Sequence, residues 1–185
     1  MNNRPKCTLL ILLVVTAAVI VSASIDVMFE KIEQVNGTHI YDLSKIRVRK
    51  FNRTIWVLDG TMDLLVDGDD RYEISVIAAY SSLGNNQFNQ YPMKIAPHRL
   101  CQFFSTTWRE YYSYFKDCTN FPEIGACPVT AKQYYAKNLI LDSNIFPPYL
   151  PRGLWRSSVI MKMVGNEDIV ARTDVYFKVE PKGVF

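Results

Sequence analysis

Apolar and polar residues alternate with a period of two along most of the chain, the pattern of β-strands that bury one face. The clearest strand covers residues 55–66, and residues 67–70, which read Asp-Gly-Asp-Asp, predict a turn after it. A second apolar row over residues 74–80 follows the turn. We therefore expect these two segments to form a hairpin.

The same alternation returns near the C-terminus. Apolar rows over residues 155–163 and 169–177 flank the turn-forming sequence Gly-Asn-Glu-Asp at 165–168, which predicts a second hairpin. Weaker alternation predicts strands over residues 26–34, 44–51 and 133–141.

One segment changes period. Leu100, Phe104, Trp108, Tyr111 and Phe115 recur every three or four residues, which predicts one amphipathic helix near residues 99–116. Many short strands with turns between them and a single helix predict a mainly β fold. We expect two antiparallel sheets that form an Ig-like sandwich or cup.

The first 24 residues have the pattern of a signal peptide. Arg4 and Lys6 precede an apolar run over residues 9–21, and the small residues Ser-Ala-Ser follow at 22–24. A retained membrane anchor is the alternative, because the uncharged stretch is just long enough to span a bilayer. Cleavage leaves residues 25–185 as a single domain that is secreted and extracellular. Two sequons, at Asn36 and Asn52, agree with export and predict a glycoprotein.

Composition narrows the class of protein. Hydrophobic residues make up 49% of the 185 residues, which is enough for a sizeable core. The net charge of +3 includes the two cations of the predicted signal peptide, so the mature chain carries about one positive charge. A nearly neutral domain lacks the basic face that nucleic acid requires.

The chain has no catalytic or metal-binding motif, so we expect neither an enzyme nor a cofactor or metal site. His98 precedes Cys101 by one helical turn, but a disulfide is the better explanation for that cysteine. Three aspartates at 67, 69 and 70 lack the full pattern of a calcium loop. The mature chain keeps Cys101, Cys118 and Cys127, an odd number that leaves one thiol unpaired or bonded to another molecule.

Large aromatic, methionine and aliphatic residues occupy the predicted inward rows. They either fill the core or line a cavity between splayed sheets. The cavity candidates are Trp56, Leu58, Met62, Phe104, Trp108, Tyr111, Phe115, Trp155, Val159, Met161, Val175 and Phe177.

Three blocks carry a more specific signal. Residues 127–135 read Cys-Pro-Val-Thr-Ala-Lys-Gln-Tyr-Tyr, Asn138-Leu139 follows, and residues 150–156 read Leu-Pro-Arg-Gly-Leu-Trp-Arg. This pattern resembles the insect secreted DUF1091 family, which includes pheromone-response chemosensory proteins. That family is similar to the ganglioside activator and MD-2-related lipid-recognition proteins. Here the family's Gly-x-Tyr lacks its glycine, and Trp155 stands where the family has tyrosine.

The resemblance implies a cup of two sheets with a lipid-sized cavity, and a disulfide between Cys101 and Cys127. Cys118 would then be the free thiol. Pairing of Cys118 with Cys127 is the alternative. The helix and the proline-rich loop at 147–151 would form the cavity mouth, with Phe146, Tyr149 and Leu150 exposed to a membrane surface or receptor.

We therefore expect a secreted binding protein that carries or presents a hydrophobic ligand. Lipids, fatty-acid derivatives and hydrocarbon pheromones are the candidates, in line with chemosensation. The alternative is an extracellular protein-interaction module with a filled core. We expect a monomer, and a dimer linked through Cys118 would favour the alternative.

Overall fold

The computed structural model describes residues 25–182 and shows two antiparallel sheets facing each other. The predicted signal peptide lies outside the described residues. The larger sheet has the order β1-β8-β7-β4-β5 and the smaller has the order β2-β3-β6. The strands are β1 Ile25–Asn36, β2 Tyr41–Lys50, β3 Trp56–Leu64, β4 Tyr72–Ser81, β5 Asn89–Arg99, β6 Gln133–Leu139, β7 Gly153–Met163 and β8 Ile169–Pro181. This architecture confirms the predicted mainly β sandwich or cup.

The predicted C-terminal hairpin is confirmed. β7 and β8 pair antiparallel, and Trp155 lies opposite Phe177 in the register. Both aromatic rings are almost completely buried and stack at 6.2 Å between centroids. The alternating pattern therefore identified the two strands and the face on which Trp155 and Phe177 are buried, although Ser158 and Asp174 on the opposite face are buried as well.

The predicted hairpin between β3 and β4 is wrong. β3 pairs with β2 and β6, whereas β4 pairs with β5 and β7 in the other sheet. The turn segment instead crosses from one sheet to the other. Gly68 at its centre makes two backbone hydrogen bonds with Val129, at 2.9 and 2.7 Å, which tie the crossing to the loop before β6.

The single predicted helix is two short helices, α1 Leu100–Ser105 and α2 Trp108–Phe115. The break falls at Thr106-Thr107. The Thr106 hydroxyl donates to the carbonyl of Gln102 at 2.7 Å, a bond that competes with regular helix geometry. The apolar face survives the break, because Trp108 packs against both Phe104 and Phe115.

β5 was not predicted from the pattern. It contains Pro92 and Pro97, which cannot donate to a strand ladder and are tolerated at a sheet edge. β5 is indeed the last strand of the larger sheet. A 3-10 helix, Ser143–Ile145, connects β6 towards β7. Within residues 25–182, no helix has the length and hydrophobicity needed to cross a membrane.

Candidate functional site

A cavity of about 300 Å³ lies between the two sheets beneath α2, and we call it the inner cavity. Its volume is at the lower end of the range of about 300–1,000 Å³ for small-molecule sites. Both sheets, α2 and the 3-10 helix contribute to its wall. The lining residues are Phe29, Leu58, Val76, Ala78, Met93, Lys94, Ile95, Tyr111, Phe115, Phe121, Leu139, Leu141, Ile145, Phe146, Ser157, Val175 and Phe177.

Strand alternation places the lining side chains. Val76 and Ala78 are two residues apart on β4, as Val175 and Phe177 are on β8, so each pair shares a face. Leu58 of β3 lies opposite Leu139 of β6 in the smaller sheet. Tyr111 and Phe115 are four apart on α2, which brings both onto the face that covers the cavity.

The wall of the inner cavity is almost entirely apolar. Lys94 is the one charged residue in the lining. It pairs with Ile77 of β4, and strand alternation directs Ile77 away from the face that Val76 and Ala78 present to the cavity. Burial raises the pKa of the Tyr111 hydroxyl, which therefore stays neutral at physiological pH. This chemistry suits burial of an aliphatic or aromatic group.

A second concavity of about 630 Å³, the outer groove, lies at the end of the sandwich beside the inner cavity. Leu141 lines both spaces. The groove mixes apolar residues with hydroxyls, an amide and carboxylates. Its lining residues are Asp26, Val27, Met28, Thr54, Ile55, Trp56, Tyr114, Cys118, Asn138, Ile140, Leu141, Asp142 and Ser143.

A polar cluster positions Asn138 at this groove. Asn138 has a left-handed backbone conformation, with φ of 51°, and its N–H donates to the Asp59 carboxylate at 2.9 Å. Arg49 donates to both Asp59 and the Asn138 side-chain oxygen. These contacts lower the pKa of Asp59, with the Asn138 N–H as the largest cause. The cluster accommodates the register shift between β3 and β6 at this point.

The segment before β7 is held by close contacts. Gly153 has φ of 146°, and a Cβ there would lie 2.8 Å from the Ser81 carbonyl oxygen. The Trp155 indole N–H donates to the Pro151 carbonyl at 3.0 Å. This anchors Trp155 next to Phe177, which lines the inner cavity.

A disulfide joins Cys101 on α1 to Cys127, with 5.4 Å between the Cα atoms. The bridge closes the segment that contains both helices, so it holds α2 near the sheets. Cys118 is a free cysteine of intermediate exposure that lines the outer groove. The pairing implied by the family resemblance is therefore the one present in the structure.

The family model described as "Protein of unknown function (DUF1091)" matches residues 74–157, just under half of the chain. The match supports the DUF1091 family. No curated protein matches the chain.

The DUF1091 segment contains the three blocks singled out in the sequence, and each has a structural role. Cys127 forms the disulfide, and the peptide bond that follows it, to Pro128, is cis. Asn138 joins the cluster at the outer groove, while Gly153 permits the close approach of β7 to β4. The segment therefore spans most of one wall of the inner cavity and the covering helices.

The structure brings only part of the predicted cavity set together. Leu58, Tyr111, Phe115, Val175 and Phe177 line the inner cavity, whereas Trp56 lines the outer groove and is 36% exposed. The remaining candidates lie outside both linings: Met62, Phe104, Trp108, Trp155, Val159 and Met161.

These excluded residues have other roles. Met62, Phe104 and Met161 pack against the larger hydrophobic cluster, and Trp108 is buried among aromatic rings of the helical region. Val159 lies opposite Val76 in the register without lining the cavity. Periodicity found the inward face but did not show where the sheets separate.

The predicted mouth is partly corrected. Phe146 lines the inner cavity and contacts Phe177 at 4.8 Å between ring centroids. Tyr149 is 75% exposed, as expected, but Leu150 is only 5% exposed and packs in a core cluster. Leu150 is therefore unavailable to a membrane or receptor in this conformation.

The most useful residues that sequence analysis missed are Phe29, Ala78, Phe121 and Leu141. Ala78 lies in a predicted apolar row, but its small size gave no sign that it faces open space. Phe121 lies on an irregular segment, where no period indicates the direction of a side chain. Leu141 lies at the end of the weakly predicted strand over residues 133–141, two residues beyond the end of β6, and it was not singled out.

The other polar candidates have ordinary structural contacts. Asp69 binds the Arg71 side chain, and Asp67 accepts from the Ala131 N–H. Asn36 and Asn52, the sequon asparagines, are both exposed. Among residues 25–182, no group of His, Cys, Asp and Glu side chains is arranged to hold a metal ion.

Proposed function

We propose that this protein is a secreted carrier that binds a hydrophobic ligand in the inner cavity. The observation that supports the proposal is an apolar space of about 300 Å³ between the two sheets, covered by α2. The disulfide between Cys101 and Cys127 agrees with an oxidising, extracellular compartment. The proposed function is binding alone, without a catalysed reaction.

The energetics favour a long aliphatic chain. Each buried methylene contributes about 0.8 kcal/mol. Association costs at least about 4 kcal/mol, and micromolar binding requires a net gain of about 8 kcal/mol. About fifteen buried methylene equivalents would therefore give micromolar affinity without an ionic contact. Lipids, fatty-acid derivatives and hydrocarbon pheromones meet this requirement.

The family resemblance extends the proposal to biology. DUF1091 relatives among insect pheromone-response proteins suggest a chemosensory ligand, and similarity to MD-2-related lipid-recognition proteins suggests the same mode of burial between sheets. We include both as parts of the proposal, together with an insect source, a monomeric state and glycosylation at Asn36 and Asn52.

Displacement of the apolar dye N-phenyl-1-naphthylamine by aliphatic probes tests the carrier function. Ala78→Leu enlarges a side chain that lines the inner cavity, and we expect it to weaken uptake about tenfold or more. Ser157→Val is a second variant, at the lining position paired with Ala78, and we expect it to weaken uptake as well.

Ala131→Leu is the matched control, because Ala131 is exposed and is not among the lining residues. Equal uptake by wild type, Ala78→Leu and Ser157→Val would refute binding in the inner cavity. Absence of any uptake would favour the alternative function, an extracellular protein-interaction module.

A further inference from the structure

A row of three small or medium side chains on neighbouring strands of the larger sheet forms the floor of the inner cavity. Ser157 of β7 pairs with Ala78 of β4 on one side and with Val175 of β8 on the other, and all three line the cavity. Strand alternation turns Trp155 and Val159 to the same face, but neither lines the cavity. Ser157 is therefore the part of β7 that a ligand in the inner cavity contacts.

The hydroxyl of Ser157 has no hydrogen-bond partner in the described part of the chain. Two other serines of the same sheet are buried and have partners. Ser158, on the opposite face of β7, accepts a hydrogen bond from Arg172 at 3.3 Å. Ser81 of β4 donates to the side-chain oxygen of Asn85 at 3.2 Å. Where protein covers these serines they are paired, whereas the serine that faces the cavity keeps its hydroxyl for a ligand.

An unpaired hydroxyl in an apolar wall favours a ligand that brings a matching polar atom, because pairing recovers the free energy lost on leaving water. Such a site discriminates against analogues that lack this atom. Tyr111 is the other uncharged polar residue of the lining, and within residues 25–182 its hydroxyl has no partner either. The long Tyr111 side chain extends from the covering helix, whereas the strand fixes the direction of the short Ser157 side chain. We therefore assign the polar contact to the floor.

Apolar wall extends on both sides of Ser157. β7 is the middle strand of the larger sheet, and the lining reaches Phe29 of β1 at one edge and Ile95 of β5 at the other. A ligand atom that pairs with Ser157 is consequently flanked by hydrocarbon contacts in both directions across the sheet. This position suits a polar atom within an aliphatic chain better than one at its end.

From this arrangement we infer that the inner cavity selects a hydrophobic ligand with one internal carbonyl group, as in an aliphatic ketone or ester. The carbonyl oxygen accepts a hydrogen bond from the Ser157 hydroxyl. A carbonyl oxygen only accepts, so one donor is enough to pair it, whereas an alcohol brings a further donor that needs an acceptor of its own. The inference rests on the proposed carrier function and adds the class of ligand.

Displacement of N-phenyl-1-naphthylamine by 7-tridecanone and by tridecane tests the inference with two probes of equal chain length. Ser157→Ala removes the hydroxyl with little change in volume. We expect it to weaken binding of 7-tridecanone about fivefold, the effect of one neutral hydrogen bond, and to change binding of tridecane by less than about twofold. Because each probe is compared between two proteins, the different hydration of the two probes cancels. Retained tridecane binding also shows that the variant keeps its fold and its cavity.

Ser158→Ala is the matched control, since it makes the same substitution one residue along β7 on the opposite face. It should leave the ratio of the two affinities unchanged, and so should Tyr111→Phe. Selective loss of 7-tridecanone binding in Tyr111→Phe but not in Ser157→Ala would overturn the assignment to Ser157.

The infrared band of an isotope-labelled carbonyl in bound 7-tridecanone gives a readout that does not depend on affinity. Hydrogen bonding lowers the frequency of this band, so it should lie lower in wild type than in Ser157→Ala. An equal frequency in the two proteins, or equal weakening of both probes by Ser157→Ala, would overturn the carbonyl contact while leaving the carrier function intact. Failure of both probes to displace the dye would instead refute the carrier function itself.

Discussion

Gly153→Ala should be strongly destabilising, because the position is constrained in two independent ways. Its φ of 146° lies in a region that is costly for residues with a side chain, at about 1–3 kcal/mol. The new Cβ would also lie 2.8 Å from both the Ser81 carbonyl oxygen and a Tyr80 ring carbon. Relief of such overpacking costs about 1–3 kcal/mol more.

Urea unfolding measures the combined effect. We expect Gly153→Ala to lower the free energy of unfolding by about 2–6 kcal/mol, the sum of the two costs. With a typical slope of about 1–3 kcal/mol per molar urea, the midpoint should fall by about 1 M or more.

Gly165→Ala is the matched control, since Gly165 has φ of 79° but open space where its Cβ would lie. Only the backbone cost of about 1–2 kcal/mol applies to it. Equal urea midpoints for the two variants would refute the argument that the close approach of β7 to β4 requires glycine at residue 153.

Three further predictions concern the disulfide, the cluster at the groove and the free thiol. Cys127→Ser should lower the free energy of unfolding by about 3.5 kcal/mol, from the loop entropy of a 26-residue separation; an unchanged urea midpoint would contradict this. Because the fold lowers the pKa of Asp59, this carboxylate contributes stability at pH values above its ordinary pKa of 3.8. That contribution is lost as the pH falls below 3.8. Asp59→Asn should therefore flatten the decline in stability as pH falls below about 4, whereas an unchanged pH profile would exclude this carboxylate as a source. Thiol titration of the non-reduced protein should detect Cys118, and Cys118→Ser should remove that signal; a Cys118-dependent dimer on a non-reducing gel would instead favour the interaction module.

Local alternation predicted strands well but did not determine their partners. β7 and β8 are joined by a short turn, so adjacency in sequence and pairing in space coincide. β3 and β4 have an equally clear pattern, yet the segment around Gly68 crosses between the sheets. The choice depends on contacts with Val129, which lies far away in sequence and leaves no local signal.

The candidate site was predictable only in part for a related reason. Large inward residues such as Phe115 and Phe177 were recognised, but whether a large residue lines a cavity or fills the core depends on the separation of the sheets. Phe121 lies outside the regular elements, and Leu141 lies just beyond the end of β6. Ala78 leaves space in the cavity because its side chain is small, so a search for large inward residues could not find it.

Native mass spectrometry of the protein purified from a secreting eukaryotic cell line tests the central claim most directly. Spectra recorded before and after organic extraction should differ by a discrete lipid-sized mass in wild type and in Ala131→Leu, and this mass should be much reduced in Ala78→Leu. A bare protein mass in wild type, with no uptake from a panel of fatty alcohols, fatty acids and long-chain hydrocarbons, would contradict the claim that the inner cavity binds a hydrophobic ligand.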